Sequence, residues 1–393
     1  MKEQKNIVNE FEKIDLSKRK VALATVVRVK GSSYRSPGAR MLITDDGRWV
    51  GSISGGCLEG DALRKARKVM TDNNAMTVTY DTREESNQNL GIGLGCNGVI
   101  DVLIEPIDSA NASNGIELFK NLIDIQQAVA IATVFSGKGI GDKLIIDGDG
   151  KIINSISQDA LAKLVINDLY ELFSTRRSET KKYSLPDDEA EVFLELLQPN
   201  ISIILFGAGF DARPVSTLAK SLGWNVQVTD ECVAHIAPVF FPDADKLSLC
   251  QREFINKDFD VTPYTACVLM SHNYDYDRDV LRKLLSSPTP YIGILGPRKR
   301  FSKMEEEFLK EGITLNESDY QRIHSPIGLD IGAEAPDEIA ISIIAEIQSK
   351  FSERSGGFLK YKSGPIHQRD PNSDQVFKQV YLSQEETKSI NKA

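Results

Sequence analysis

Residues 201–230 read ISIILFGAGFDARPVSTLAKSLGWNVQVTD, and this stretch decides the fold of the C-terminal half. An apolar, β-branched run from Ile201 to Phe206 predicts a buried strand. The turn Gly207-Ala208-Gly209-Phe210-Asp211-Ala212 follows, then a helix, then a second strand from Asn225 to Thr229 that ends at Asp230. Gly207, Gly209 and Ala212 form a Gly-x-Gly-x-x-Ala turn in the strand-to-helix context that a dinucleotide site requires, with Asp230 placed to bond a ribose hydroxyl. The same small residues also serve a tight turn and close helix packing with no ligand bound. Two further strand ends lie downstream. The run ending at Met270 leads into Ser271-His272-Asn273-Tyr274-Asp275-Tyr276-Asp277, and the run ending at Leu295 leads into Gly296-Pro297-Arg298-Lys299-Arg300. Ligands of open parallel sheets bind outside the carboxyl ends of the strands. His272 is therefore expected to transfer a proton or hydrogen-bond a heterocycle, and Arg298 to hold a phosphate with the N–H groups after Gly296. Lys299 and Arg300 read as a solvated face, and His324 as structural or functional alike.

The N-terminal half is built differently. After a helical pattern come a β-branched strand at Val21–Val29, the loop GSSYRSPGAR, strands at Met41–Ile43 and Trp49–Ile53, and a helix from near Leu58. Strands at Met76–Tyr80 and Gly98–Ile104 complete a mixed sheet. Much of this returns: VALATV at 21–26 recurs as VAIATV at 129–134, and MLITDDGRWVGSIS at 41–54 as LIIDGDGKIINSIS at 144–157. The offsets of 108 and 103 residues describe one duplicated unit with a shortened loop. The copies part where Gly55-Gly56-Cys57 becomes Gln158-Asp159-Ala160. Residues needed only for the fold would be needed twice. Residues 174–188, STRRSETKKYSLPDD, read as a linker.

The expected fold class is α/β: an N-terminal mixed α/β domain with an internal duplication, then a Rossmann-like doubly wound parallel-sheet domain. We place the first domain at about 1–185 with repeats at about 20–70 and 128–172. The second covers about 186–350, and a C-terminal tail about 351–393.

The 393 residues carry 47 Lys and Arg against 56 Asp and Glu, a net charge of −9. That balance argues against a nucleic-acid partner, which needs a basic face. Residues 1–110 hold 16 basic and 15 acidic side chains, so the acidic excess lies beyond them and an anion site has its better setting in the first domain. No apolar run of about 18 residues is present to span a bilayer, and the opening MKEQKNIVNEF lacks a signal-peptide core, so no membrane partner and a cytoplasmic location are expected. The five cysteines include no Cys-x-x-Cys pair. Cys232, Cys250 and Cys267 read as small buried hydrophobes. Cys57 lies at a predicted helix N-terminus within Ser-Gly-Gly-Cys, where unpaired N–H groups and the helix dipole favour anions. Cys96 lies in a second glycine loop, LGIGLGCNGVI. Arg35 and Arg40 are placed to add bidentate phosphate contacts.

These segments, GSSYRSPGARM, GSISGGCLEGD, GLGCNGVI, GAGFDARP, SHNYDYD, GILGPRKR and RIHSPIGLDIGAEAPDEIAISIIAEI, resemble in order the XdhC/CoxI family of xanthine dehydrogenase accessory proteins. The resemblance implies a chaperone that binds molybdenum cofactor (molybdopterin), protects it while a cysteine desulfurase supplies sulfur, and inserts it into a molybdenum hydroxylase of the xanthine dehydrogenase type. It is expected to work as a homo-oligomer, a dimer, and more as a cofactor carrier than as a catalyst. Gly55, Gly56 and Cys57 fall on the family's Ser-Gly-Gly-Cys, with Cys57 the expected molybdenum ligand, and Cys96 on its second cysteine loop. Gly207, Gly209 and Ala212 fall on the Rossmann turn, which with Arg298 is expected to grip the cofactor's phosphate, and His272 on a Thr-His-Asp-like strand end. Asn97, Ser271 and Phe210-Asp211 depart from residues common in the family. Two alternatives stand beside this reading: an NAD(P)-dependent oxidoreductase using Asp230 and His272, and a sulfurtransferase with Cys57 as persulfide carrier.

Overall fold

A computed structural model describes residues 2–31, 33–82, 98–107, 116, 120, 127–186, 188–252 and 259–363. The chain divides into two compact units, 3–199 and 200–362.

In the first unit helix α1 (Lys2–Phe11) precedes two sheets of identical design. The first contains β1 (Val21–Gly31), β2 (Arg40–Thr44), β3 (Trp49–Gly51), β4 (Met76–Asp81) and β5 (Gly98–Pro106), with α2 (Glu59–Asp72) after β3. The second contains β6 (Val129–Ser136), β7 (Lys143–Ile146), β8 (Ile152–Asn154), β9 (Glu179–Ser184) and β10 (Glu189–Leu197), with α3 (Asp159–Thr175) after β8. Their strand orders, β3-β2-β1-β5-β4 and β8-β7-β6-β10-β9, are the same. So is the register: Thr25 faces Leu103 as Thr133 faces Phe193.

Period-two alternation explains how each sheet is covered on both faces. Ala22, Ala24 and Val26 pack on Ala62, Ala66 and Val69 of α2, and Ala130, Ala132 and Val134 on Leu161, Val165 and Leu169 of α3. The opposite faces share clusters with one another. Val27 and Leu103 of one sheet meet their counterparts Phe135 and Phe193 of the other, and α1 packs Ile7 and Phe11 against residues of both. Each fully buried Val, Leu, Ile or Phe contributes roughly 1.5–3 kcal/mol by leaving water.

Polar contacts between the sheets are reciprocal as well. Arg40 binds the carboxylate of Glu195, with Nη1–Oε1 at 3.0 Å and Nη2–Oε2 at 2.5 Å, while Lys143 binds Glu105. Thr77 Oγ1 donates to the Phe135 carbonyl, and Thr180 Oγ1 to that of Val27 at 2.9 Å.

The stretch 174–188 is not a linker. It carries β9, antiparallel to β10, so the first unit continues to Pro199 rather than to about 185. As an edge strand β9 tolerates charge: Tyr183 is buried, Lys181 on the same face reaches Asp168 of α3 with the Tyr183 hydroxyl, and Lys182 on the other face is exposed and paired with Glu189.

The second unit is a six-stranded parallel sheet in the order β13-β12-β11-β14-β15-β16. Its strands are β11 (Ser202–Phe206), β12 (Asn225–Asp230), β13 (Lys246–Leu249), β14 (Thr265–Leu269), β15 (Tyr291–Ile294) and β16 (Ile323–His324). Helices α4 (Ala212–Ser221) and α8 (Pro336–Phe351) cover one face through Val215, Ala219, Ile343 and Ile347. Helices α5 (Tyr274–Leu284) and α6 (Arg298–Lys310) cover the other through Tyr276, Val280, Met304 and Phe308. Helix α7 (Glu317–Arg322) leads into β16. This is the doubly wound Rossmann order, with its switch point between β11 and β14. The unit extends through Lys362, so part of the expected tail belongs to it.

Candidate functional site

In the first unit the chain leaves β3 and winds through residues 52–58 before α2 begins at Glu59. Glu59 is buried and organises this loop from beneath. Its carboxylate accepts from Ser52 Oγ at 2.8 Å, Ser54 N at 2.9 Å, Ser54 Oγ at 2.5 Å and Leu58 N at 3.2 Å. Burial pushes the carboxyl up, but the hydroxyls of Ser54 and Ser52 and the backbone N–H donors outweigh it, and the group is held below the ordinary glutamate range. Ser54 Oγ in turn accepts from Gly56 N and Leu58 N, both at 3.1 Å, and from Cys57 Sγ at 3.5 Å.

The outer side of the loop is open. Gly55 and Gly56 are exposed, Cys57 is a half-buried free thiol, and the exposed Tyr34 lies with its ring 3.5 Å from where a Gly55 Cβ would stand. Gly56 has φ +112°, a backbone that side chains rarely adopt, and no atom lies within 4 Å of its missing Cβ. The negative charge expected at this helix start is thus supplied internally by Glu59. What the loop offers outward is bare backbone, with the half-buried thiol of Cys57 beside it, bonded to Ser54 and packed against the core.

Arg40 does not join this face. It is buried, spans from β2 to Glu195 on β10 and also donates to the Gly38 carbonyl at 2.7 Å. The phosphate contact expected of it is replaced by a structural ion pair, because its side chain points between the sheets. Arg35 is engaged with Glu3. Cys96 lies outside the described residues.

In the second unit Gly207, at φ +123°, lets β11 pass close to the end of β14. A Cβ there would stand 2.4 Å from the Met270 carbonyl oxygen and 2.5 Å from Ser271 Cα. Ala212 is fully buried in the core. Asp230 is buried too, and its oxygens are committed: Oδ2 accepts from Ala208 N at 2.8 Å and lies 3.2 Å from His235 Nδ1, and Oδ1 accepts from Cys232 N at 2.8 Å. It ties β12 to the glycine turn in place of the ribose contact expected of it. His272 is exposed, and its Nε2 lies 3.0 Å from Asp211 Oδ2 beside Gly209. Arg298 is exposed at the first position of α6.

Three other expectations are corrected or resolved here. Arg300 is not a solvated residue: its Nη2 lies 2.6 Å from the buried Asp277, whose carboxyl burial pushes up. His324 is built into the fold, with Nδ1 2.9 Å from Glu346 Oε1 and its ring stacked 4.4 Å from that of Tyr291. Cys250 and Cys267 are buried, and burial pushes the Cys267 thiol up to about 12, but Cys232 is exposed because it follows β12 into a surface turn.

Comparison with known proteins adds the relationship. The XdhC Rossmann domain model matches residues 203–347, and the XdhC and CoxI family model matches residues 16–81. A probable xanthine dehydrogenase subunit of Bacillus subtilis is 32% identical over 83% of this chain and 91% of its own. The chain belongs to the XdhC and CoxI family. The molybdenum cofactor insertion chaperone PaoD of Escherichia coli is 21% identical to this family member over 85% of the chain and 84% of its own length. The crystal structure of a xanthine dehydrogenase from Bacillus halodurans superposes with a TM-score of 0.70 and 29% identity, over 92% of this chain and 98% of that one.

Sequence reasoning missed Ser54, Glu59, Tyr34 and Asp211 in this XdhC and CoxI family member. The signal for two of them was present: Ser54 with Glu59 five residues on brackets the glycine pair, and Ala162 stands in the second repeat where Glu59 stands in the first.

Proposed function

We propose that the protein binds molybdopterin at the Cys57 loop, shelters it while a cysteine desulfurase supplies the terminal sulfur, and delivers it to a molybdenum hydroxylase of the xanthine dehydrogenase type. The single observation that carries this reading is the loop itself: a half-buried free thiol beside two exposed glycines, held by a buried Ser54–Glu59 pair, at a place where the duplicated half keeps the serine but has neither glycine, the thiol nor the glutamate. Its donor set suits the cargo. Molybdenum bound by a dithiolene is a soft centre, and a thiolate is the protein ligand that matches it. Bare glycine backbone lets a flat ligand approach closely. Cys57 is the proposed ligand, Gly55 and Gly56 supply the approach, and Ser54 orients the sulfur.

A nicotinamide oxidoreductase has less support, because Asp230 is buried and engaged and Asp211 sets a carboxylate beside the glycine turn. The test is co-purification with molybdopterin, wild type against Cys57→Ala. The variant is expected to lose most of the bound cofactor while keeping its thermal midpoint. Undiminished retention would remove the ligand role.

A further inference from the structure

Helices α2 and α3 stand at equivalent places of the duplicated unit, each covering the outer face of its own sheet. Their outward sides differ in kind. On α2 that side carries Asp61, Arg64, Arg67 and Lys68, with Asp61 paired to Arg64 at 2.7 Å, and is basic on balance. The equivalent residues of α3 are Leu164, Asn167, Tyr170 and Glu171, all exposed, and Lys163 is exposed beside them. Leu161, Val165, Leu169 and Leu172 hold the opposite side of α3 in the core, so a polar outer side is expected. Instead Leu164 is 45% and Tyr170 47% exposed. Ile152 of β8 is opposite Ile146 and therefore on the α3 side of the sheet, and it is 42% exposed.

The order of these residues carries the argument further. Asn167 is at the centre of the outward side, with Lys163 and Leu164 a turn before it and Tyr170 and Glu171 a turn after it. A twofold axis at Asn167 lays a second α3 antiparallel on the first and brings the Lys163 and Leu164 end of each copy to the Tyr170 and Glu171 end of the other. Opposite charges and apolar groups then meet at both ends. The Lys163 ammonium finds a carboxylate and the face of a phenol ring, an arrangement that a twofold contact repeats. Glu171 is available for this, since its side chain is 63% exposed and its Oε2 lies 3.9 Å from Lys181 Nζ, the outer limit of an ion pair. The same operation on α2 would set Arg64 on Arg64 between two basic surfaces.

We propose that the outward side of α3 is where a second copy of this chain docks, as an antiparallel helix pair centred on Asn167. The contact uses the repeat that lacks the glycine-and-thiol loop and leaves the α2 side open in both copies. It does not rest on the molybdopterin reading. A helix of 17 residues is about 25 Å long, and even with Ile152 added its contact is at the small end of specific interfaces, so a Kd on the order of micromolar is expected.

Sedimentation of the full chain between about 1 and 100 µM reads this equilibrium and should show monomer giving way to dimer. Tyr170→Glu should weaken the dimer by about 10-fold or more. Lys163→Glu and Glu171→Lys should each weaken it several-fold by setting like charges together, and the double variant should recover it. An equimolar mixture of the two single variants should form the mixed dimer in preference to either homodimer. Arg67→Glu, at the α2 position equivalent to Tyr170, should leave dimerisation unchanged. Circular dichroism and the thermal midpoint check that each variant is folded, and the charge variants read the same contact if Tyr170→Glu is not. The proposal is overturned if the chain is monomeric at about 100 µM, if Tyr170→Glu dimerises like wild type, if the double variant does not recover, or if Arg67→Glu dissociates the dimer. Tyr170→Glu should retain molybdopterin as wild type does. Failure of the molybdopterin reading shows separately, as a wild-type protein that purifies without cofactor whatever its oligomeric state.

Discussion

The two repeats of the first unit share strand order, register and even their reciprocal ion pairs, yet they differ at the entrance to the helix. In the second repeat α3 begins at Asp159, the counterpart of Gly56, so the helix starts almost a turn earlier than α2. Ser157, the counterpart of Ser54, bonds Asp142 of a neighbouring turn through its N–H and hydroxyl at 3.2 and 3.3 Å. Ala162 lies where Glu59 would be. The first repeat thus gives up a helical turn and substitutes a loop held by a buried carboxylate. That exchange exposes glycine backbone beside a half-buried thiol, which is what a ligand site needs and a scaffold does not.

The comparison can be broken at its shared part or at its divergent part. The largest effect is expected from Glu195→Ala, which strands the buried Arg40 and should cost about 3–5 kcal/mol in urea unfolding. Replacing both partners, as Arg40→Met with Glu195→Leu, should recover most of it. Loss of only a few tenths in the single variant would mean that the sheets do not depend on the pair. Next comes Ser54→Ala. It leaves the N–H groups of Gly56 and Leu58 and the Glu59 carboxylate short of a partner, for about 1–3 kcal/mol, and should change the rate of Cys57 alkylation at fixed pH. The counterpart Ser157→Ala should leave that rate alone.

Glu59 makes the divergent loop sensitive to acid. Its folded pKa is held below the ordinary value, so its contribution is present above the unfolded pKa and is lost as pH falls through the folded one. Acid unfolding of Glu59→Gln should therefore be flatter than wild type below the ordinary glutamate range. A parallel pair of curves would sink the assignment. The swap Gly55→Gln, Gly56→Asp and Cys57→Ala, which gives the first repeat the residues of the second repeat's helix start, should cost about 1–3 kcal/mol, set by the φ of +112° at Gly56. The fold should stand by circular dichroism while molybdopterin retention falls to background.

Much of this was legible in the residues. Alternating apolar runs such as VALATV and ISIILF specify buried strands through local sterics and burial, and the glycine turn after Phe206 specifies the strand-to-helix passage. Recurrence of 21–26 and 41–54 revealed the duplication, but its full extent through β9 and β10 did not show, because a charged edge strand resembles a linker when only one of its faces is buried. Cys57 was found because its neighbours break the repeat. Glu59 was not, because a glutamate early in a helix ordinarily faces solvent.

By itself, then, the sequence determined the two fold types, the duplication and the place where its copies diverge, all of which rest on periodicity and turn chemistry along neighbouring residues. Which charges serve the fold and which face a ligand was settled only in three dimensions. Arg40 meets an acid 155 residues away, Asp230 turns back onto the glycine turn, and Asp211 meets His272 across the switch point. A charge takes its role from the nearest partner in space, and that partner lies on a different element in each case.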